Sequence, residues 1–173
     1  MNTQDIQPIA ILLVDNDPDC RLLLGDALRE CGIPIDIHEA ASGEEALQFL
    51  LRRGEFSAAP QVNLIYLDVE MPGGINGLET LRRIRTKKEL RDVPVVMMTG
   101  VCGEEQMREA AALGANSYTL KPADSEQFMG MVRISARYWL GIHQYPQHHL
   151  SRGVCRGHAE EAAVQITPSA KWK

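Results

Sequence analysis

No apolar run in this sequence approaches the roughly 20 residues needed to cross a bilayer as a helix, so the chain reads as one that does not span a membrane. The first residues, Met1 to Pro8, have neither the basic start nor the apolar centre of a secretory signal. Positive charge is not in excess. A formal net charge of -5 argues against a general nucleic-acid binder. Four cysteines (Cys20, Cys31, Cys102, Cys155) stand far apart without the paired spacing of a metal site, and a reducing cytoplasm suits them best. There is no internal repeat. What remains is ordinary globular material, 45% hydrophobic and 24% charged, enough for one domain of about 120 to 150 residues plus a short extension.

That material is arranged as alternating strands and helices. Ile9 to Val14 is an apolar strand running into Asp15-Asn16-Asp17, where Asp17 can cap and Pro18 can open a helix to about Glu30, closed by Gly32. Ile35 to Ala40 alternates as a second strand. Ser42-Gly43-Glu44-Glu45 is a capping box opening a helix to about Arg53. Val62 to Leu67 is an almost unbroken apolar run, the pattern of a strand buried on both faces; it ends in Asp68, and Pro72-Gly73-Gly74 turns the chain away. A helix from Gly77 to about Thr86 follows, with Leu78, Leu81 and Ile84 inward. Then come an apolar strand from Val93 to Thr99 and a helix from Glu104 to Leu113 on Met107, Ala110 and Ala111. Ser117 to Leu120 is a short fifth strand, and Asp124 or Ser125 caps a last helix to about Ile142. Five such alternations predict an α/β fold, a doubly wound five-stranded parallel sheet with helices on both faces.

In an open parallel sheet, ligands bind beyond the carboxyl ends of the strands. The first, third, fourth and fifth strand exits carry Asp15 and Asn16, Asp68, Thr99 and Lys121. Each alone has an ordinary reading: a capping aspartate, a strand-end hydroxyl, a solvated lysine. Gathered on one edge, they supply acidic ligands for a hard divalent cation such as Mg²⁺ and an ammonium and hydroxyl for phosphoryl oxygens. Phosphoryl transfer asks for little else, because it rests on positioning and charge stabilisation.

Five motifs carry a resemblance that covers residues 8 to 142. They are Leu-Leu-Val-Asp-Asn-Asp at 12–17, Leu-Asp-Val-Glu-Met-Pro at 67–72, Gly77, Met-Thr-Gly at 98–100 and Tyr-Thr-Leu-Lys-Pro at 118–122. In these the chain resembles the CheY-like receiver domains of two-component response regulators, with the flavodoxin/CheY-like fold. The resemblance implies that Asp68 accepts a phosphoryl group from a kinase phosphohistidine or a phosphotransfer protein. It also implies that Asp15, Asn16, Asp68 and the main-chain carbonyl of Glu70 hold Mg²⁺. Thr99 then matches the switch hydroxyl, Lys121 the phosphate-binding lysine and Tyr118 the aromatic that rotates inward. The connection from Arg53 to Asn63 and Tyr138-Trp139-Leu140 in an extended last helix are similar to the small stand-alone regulators paired with phytochrome kinases. On this reading the chain is no enzyme toward an external substrate, only a switch that catalyses its own phosphorylation and dephosphorylation.

The chain also departs from the family pattern. Asn16 stands where the family usually has an acidic metal ligand, which predicts weaker metal binding; Asp17 compensates only if its side chain turns inward instead of capping. The turn from Pro72 to Gly77 is one residue longer than usual. Glu70 sets a carboxylate beside the expected acceptor, where like charge should disfavour hydroxide, which predicts a longer phosphoryl lifetime.

Phe128, Met131, Val132, Ser135, Ala136 and Trp139 form the core stripe of the last helix, while Ile134, Tyr138 and Ile142 lie on another flank. In the family the fourth helix, fifth strand and fifth helix form the output or dimer face, so these three residues are expected to pair two copies. The receiver is expected over residues 8–144, with 145–173 as a flexible tail carrying a net charge of +2, too short for an output domain. His148, His149, Cys155 and His158 in that tail match no standard metal spacing.

Two other readings compete. Asp15-Asn16-Asp17 resembles the opening of haloacid-dehalogenase-type phosphatases, with Asp15 as nucleophile, although Asp19 departs from that pattern and Asp68 would have no role. Asn16 makes a phosphorylation-independent binding module the third.

Overall fold

The computed structural model describes residues 8–143 except Cys102. The expected tail, with its histidines and Cys155, lies outside the described residues, and so does Cys102.

Strands β1 (Ile9–Val14), β2 (Ile35–Ala40), β3 (Leu64–Asp68), β4 (Val95–Thr99) and β5 (Ser117–Leu120) form one parallel sheet in the order β2-β1-β3-β4-β5. Helices α1 (Pro18–Arg29), α2 (Gly43–Leu50), α3 (Gly77–Thr86), α4 (Glu104–Ala112) and α5 (Ser125–Ala136) connect or follow them. The strand alternation sorts side chains to the two faces. Ile11, Leu13, Leu64, Tyr66 and Met98 pack beneath α1 and α5, whereas Leu12, Val14, Ile65, Leu67 and Met97 pack beneath α2, α3 and α4. β1 and β3, between which the chain order reverses, are therefore covered on both sides, which explains their unbroken apolar runs. The reversal opens the crevice where such sheets bind ligands.

Helix starts follow the expected caps. The Asp17 carboxylate accepts the Asp19 N–H at 2.9 Å, Pro18 occupies the first helical position, and Asp124 caps α5 through the Gln127 N–H. Ser42 Oγ accepts the Glu45 N–H at 3.2 Å, but Glu45 returns its carboxylate to the Ala41 N–H, one residue earlier than a capping box would have it.

Three expectations are corrected. Helix α2 ends at Leu50 rather than Arg53, because Arg52 takes a left-handed conformation (φ 52°) and the Arg53 N–H reaches back to the Gln48 carbonyl. The last helix reaches Ile142, yet its final segment, Arg137–Ile142, is wound as π-helix. The wider turn brings adjacent Trp139 and Leu140 both into the core, where strict 3.6-residue spacing admitted only Trp139. Met107 and Ala111, expected inward, are exposed, Met107 at 45%: of the α4 side chains only Ala110 is buried.

Candidate functional site

The site begins with register. Val14 lies opposite Leu67, so Asp15 and Asp68 emerge side by side at the carboxyl edge. Thr99 lies opposite Leu120, which puts Lys121 one residue beyond on the next strand. The Lys121 N–H donates to the Thr99 carbonyl at 2.6 Å, extending the ladder past the strand ends and fixing where the lysine side chain starts.

Three of the expected residues meet. Lys121 Nζ is 2.5 Å from Asp15 Oδ2 and 2.7 Å from Asp68 Oδ1, with both aspartates nearly buried (6% and 5% exposed). Burial raises the Asp68 carboxyl above the ordinary carboxylate range; the Lys121 ammonium pulls it down and Asp15 adds to the rise. Burial alone would lower the Lys121 ammonium, but its contacts with Asp15 and Asp68 outweigh that and hold it high. The cluster is two carboxylates around one cation, a net negative charge in a place of poor solvation. Such an arrangement is costly unless something shares the charge.

The remaining expected residues stand around this centre. Thr99 is fully buried, and its hydroxyl is engaged with Val101, donating to the carbonyl at 3.0 Å and accepting from the N–H at 3.1 Å. The Glu70 N–H donates to Asp68 Oδ2 at 3.1 Å, while its side chain is exposed. Asn16 is exposed at the loop tip. Asp17 caps α1 and so does not turn inward to replace the missing acid. Tyr118 packs against the core on the α2–α4 side, and its hydroxyl is buried without a hydrogen-bond partner.

Glycine at position 77 has a steric cause. A Cβ there would lie 2.0 Å from the Asp68 carbonyl oxygen, so α3 can start against the end of β3 only without a side chain. The Gly77 N–H closes this loop on the Val69 carbonyl.

Two contributors were not visible as sequence motifs. Arg21 donates from Nη1 to the Asp15 carbonyl at 2.5 Å and from Nε to Glu39 at 2.8 Å. Glu44 accepts the Ile75 N–H at 2.9 Å and pins the apex of the longer loop after Asp68; that N–H holds the Glu44 carboxyl below its usual range. Neither role follows from local sequence, because each depends on a partner brought in from another element.

As for a metal, no group of three or more acidic, histidine or cysteine side chains converges among the described residues. Two carboxylates do converge on a cation, the lysine ammonium. This hard-oxygen donor set fits a mostly hydrated divalent ion held by few protein ligands.

A family model described as the response regulator receiver domain matches residues 11–133. The chain belongs to the response regulator receiver family. This receiver is 31% identical over 140 residues to a probable methanogenesis regulatory protein, FilR2, of Methanothrix harundinacea, covering 80% of this chain and 88% of that one. It is 29% identical to response regulator Rcp1 of Synechocystis, covering 81% of this chain and 95% of that protein. The Mn²⁺-bound structure of Rcp1 superposes with a TM-score of 0.76 at 29% identity, over 80% of this chain and 99% of that one. The phosphorylated cyanobacterial phytochrome response regulator RcpA gives 0.77 at 27% identity, over 81% and 99%. Likeness to phytochrome-associated regulators thus extends through sequence and structure.

Proposed function

We propose that this receiver is a stand-alone cytoplasmic switch in which Asp68 accepts a phosphoryl group from a sensor histidine kinase of the phytochrome class, or from a phosphotransfer protein, with Mg²⁺ bound. The single observation that carries the reading is the convergence of Asp15 and Asp68 on the Lys121 ammonium at the switch point of the sheet. An Asp68 oxygen attacks phosphorus, the bond from phosphorus to the imidazole nitrogen breaks, and the imidazole keeps that electron pair.

Asp15, Asp68, Asn16 and the Glu70 carbonyl would hold the Mg²⁺, which supplies charge neutralisation for phosphoryl oxygens. The chain's own groups do the rest. Lys121 exchanges a carboxylate contact for a phosphoryl oxygen. Thr99 releases Val101 to donate its hydroxyl to another oxygen, and Tyr118 fills the space this movement vacates. The hydroxyl's present partners are main-chain groups of the following loop, so its departure changes that loop, a two-state shift. Exposed Ile134 (73%), Tyr138 (48%) and Ile142 (67%) offer the face that pairs with a second copy; light scattering on Tyr138→Glu should show a lower mass, and an unchanged mass removes the dimer.

The test is labelling with acetyl phosphate. Wild type should gain a phosphoryl group in the presence of Mg²⁺ and Asp68→Asn should not. Asn16 sustains the rival reading, a module that binds without phosphorylation, and unlabelled wild type would favour it. Label on Asp15 would favour the hydrolase.

A further inference from the structure

Asp15 is held at four points. Its N–H donates to the Ala40 carbonyl at 3.1 Å, continuing the β1–β2 ladder. One carboxylate oxygen accepts the Asp17 N–H at 2.8 Å and the other faces Lys121. The fourth point is the main-chain carbonyl, which accepts from Arg21 Nη1 at 2.5 Å. Arg21 is in turn fixed by Glu39 Oε2, the residue before Ala40 on β2. The arginine thus closes a bracket from β2 across to the exit of β1, with only 14% of its side chain exposed.

That carbonyl belongs to the peptide plane joining Asp15 to Asn16. Because the plane is rigid, the bond from Arg21 fixes the peptide that follows Asp15, and the bond to Ala40 holds the Asp15 N–H, so the Cα that carries the carboxylate is restrained from both sides. A charge-assisted bond to a carbonyl is stronger than a neutral one. The chain also has an amide at position 16 where a third carboxylate would tolerate error, so placement of Asp15 matters more here. We infer that Arg21, braced by Glu39, is a positioning residue that sets the divalent-cation affinity of the site through the Asp15 main chain. This rests on the metal-assisted reading above.

A guanidinium near a cation site has two opposite effects, and their signs separate the inference from plain electrostatics. If Arg21 acted only as a nearby positive charge, removing it would tighten cation binding. If it positions Asp15, removing it weakens binding despite the relief of repulsion. Partners that orient metal ligands typically contribute about 10–100-fold in affinity.

The experiment is calorimetric titration of the full chain with Mg²⁺, and separately with Mn²⁺, without any phosphodonor. Arg21→Met should raise Kd about tenfold, and Arg21→Lys should recover part of the loss. Glu39→Gln, at a half-exposed side chain that leaves folding intact, should raise Kd by a smaller factor. With acetyl phosphate, the Arg21→Met rate should return toward wild type at saturating Mg²⁺, since Asp68 and Lys121 are untouched. Equal or tighter cation binding in Arg21→Met overturns the inference. If that variant does not fold, an unchanged Kd in Glu39→Gln overturns it instead. Wild type that binds Mg²⁺ yet never takes up a phosphoryl group would count against the switch while leaving Arg21 to be judged by Kd alone.

Discussion

The two edges of the sheet are built from the same kinds of residue to opposite ends. At the amino edge, polar groups are closed on one another. Asn63 and Asn116 each give their N–H to the neighbouring strand and accept a strand N–H with the side-chain oxygen, from Ala10 and Val95 respectively. Arg85 then joins Gly114, Val93 and Asn116 with three bonds of 2.9–3.0 Å. Each of the three acceptors that Arg85 meets is a neutral oxygen. At the carboxyl edge, Lys121 serves two carboxylates at once and the cluster keeps a net negative charge. The first arrangement stabilises the fold, and on the proposed reading the second holds charge ready for an incoming cation and phosphoryl group.

Substitutions on either edge should therefore behave differently. Arg85→Ala removes three bonds, one of them to the partly buried Val93 carbonyl, which should cost about 3 kcal/mol in urea unfolding with no change in phosphorylation. Loss of phosphorylation in a still-folded Arg85→Ala would break the division of labour. Lys121→Met leaves Asp15 and Asp68 facing each other; with some solvent access, the loss should be about 2 kcal/mol without divalent ions. Mg²⁺ should restore more stability to this variant than to wild type, and an equal gain in both would argue that the carboxylates do not share a cation.

Between the edges, Tyr66 meets Ser135 through a 2.9 Å hydrogen bond, and burial pushes its hydroxyl up to about 12. Tyr66→Phe should cost about 1 kcal/mol at neutral pH. Because the folded value is raised, this group's contribution is complete below the unfolded value near 10 and is lost as pH rises through about 12. Wild-type stability should fall across that interval more steeply than that of Tyr66→Phe; parallel curves would contradict the burial. The smallest effect belongs to Arg52, whose left-handed conformation favours glycine: Arg52→Gly should stabilise by about 0.5 kcal/mol in thermal unfolding.

Much of this was legible because strands buried on both faces write unbroken apolar runs whose ends place Asp15, Asp68 and Thr99, while Lys121 is placed by the short, half-buried fifth strand of the same alternation. The caps at Asp17, Ser42 and Asp124 were legible too, being local hydrogen bonds between near neighbours in sequence. Features that depend on distant partners were not. Arg21 becomes more than a surface arginine only once β2 brings Glu39 beside it, and Glu44 only once the loop at Ile75 folds over α2. Met107 showed a helical period, but α4 rests on the sheet through so little surface that the period did not decide its burial. The π-wound end of the last helix is a change of pitch that an apolar stripe does not specify.

The most direct measurement is to treat the full chain with acetyl phosphate and Mg²⁺, trap the product with borohydride and map the modified peptide by mass spectrometry. The account predicts that the side chain at position 68 alone is reduced, to homoserine, because only an acyl phosphate reacts this way. Modification at Asp15, or none in a preparation that binds Mg²⁺, would contradict it.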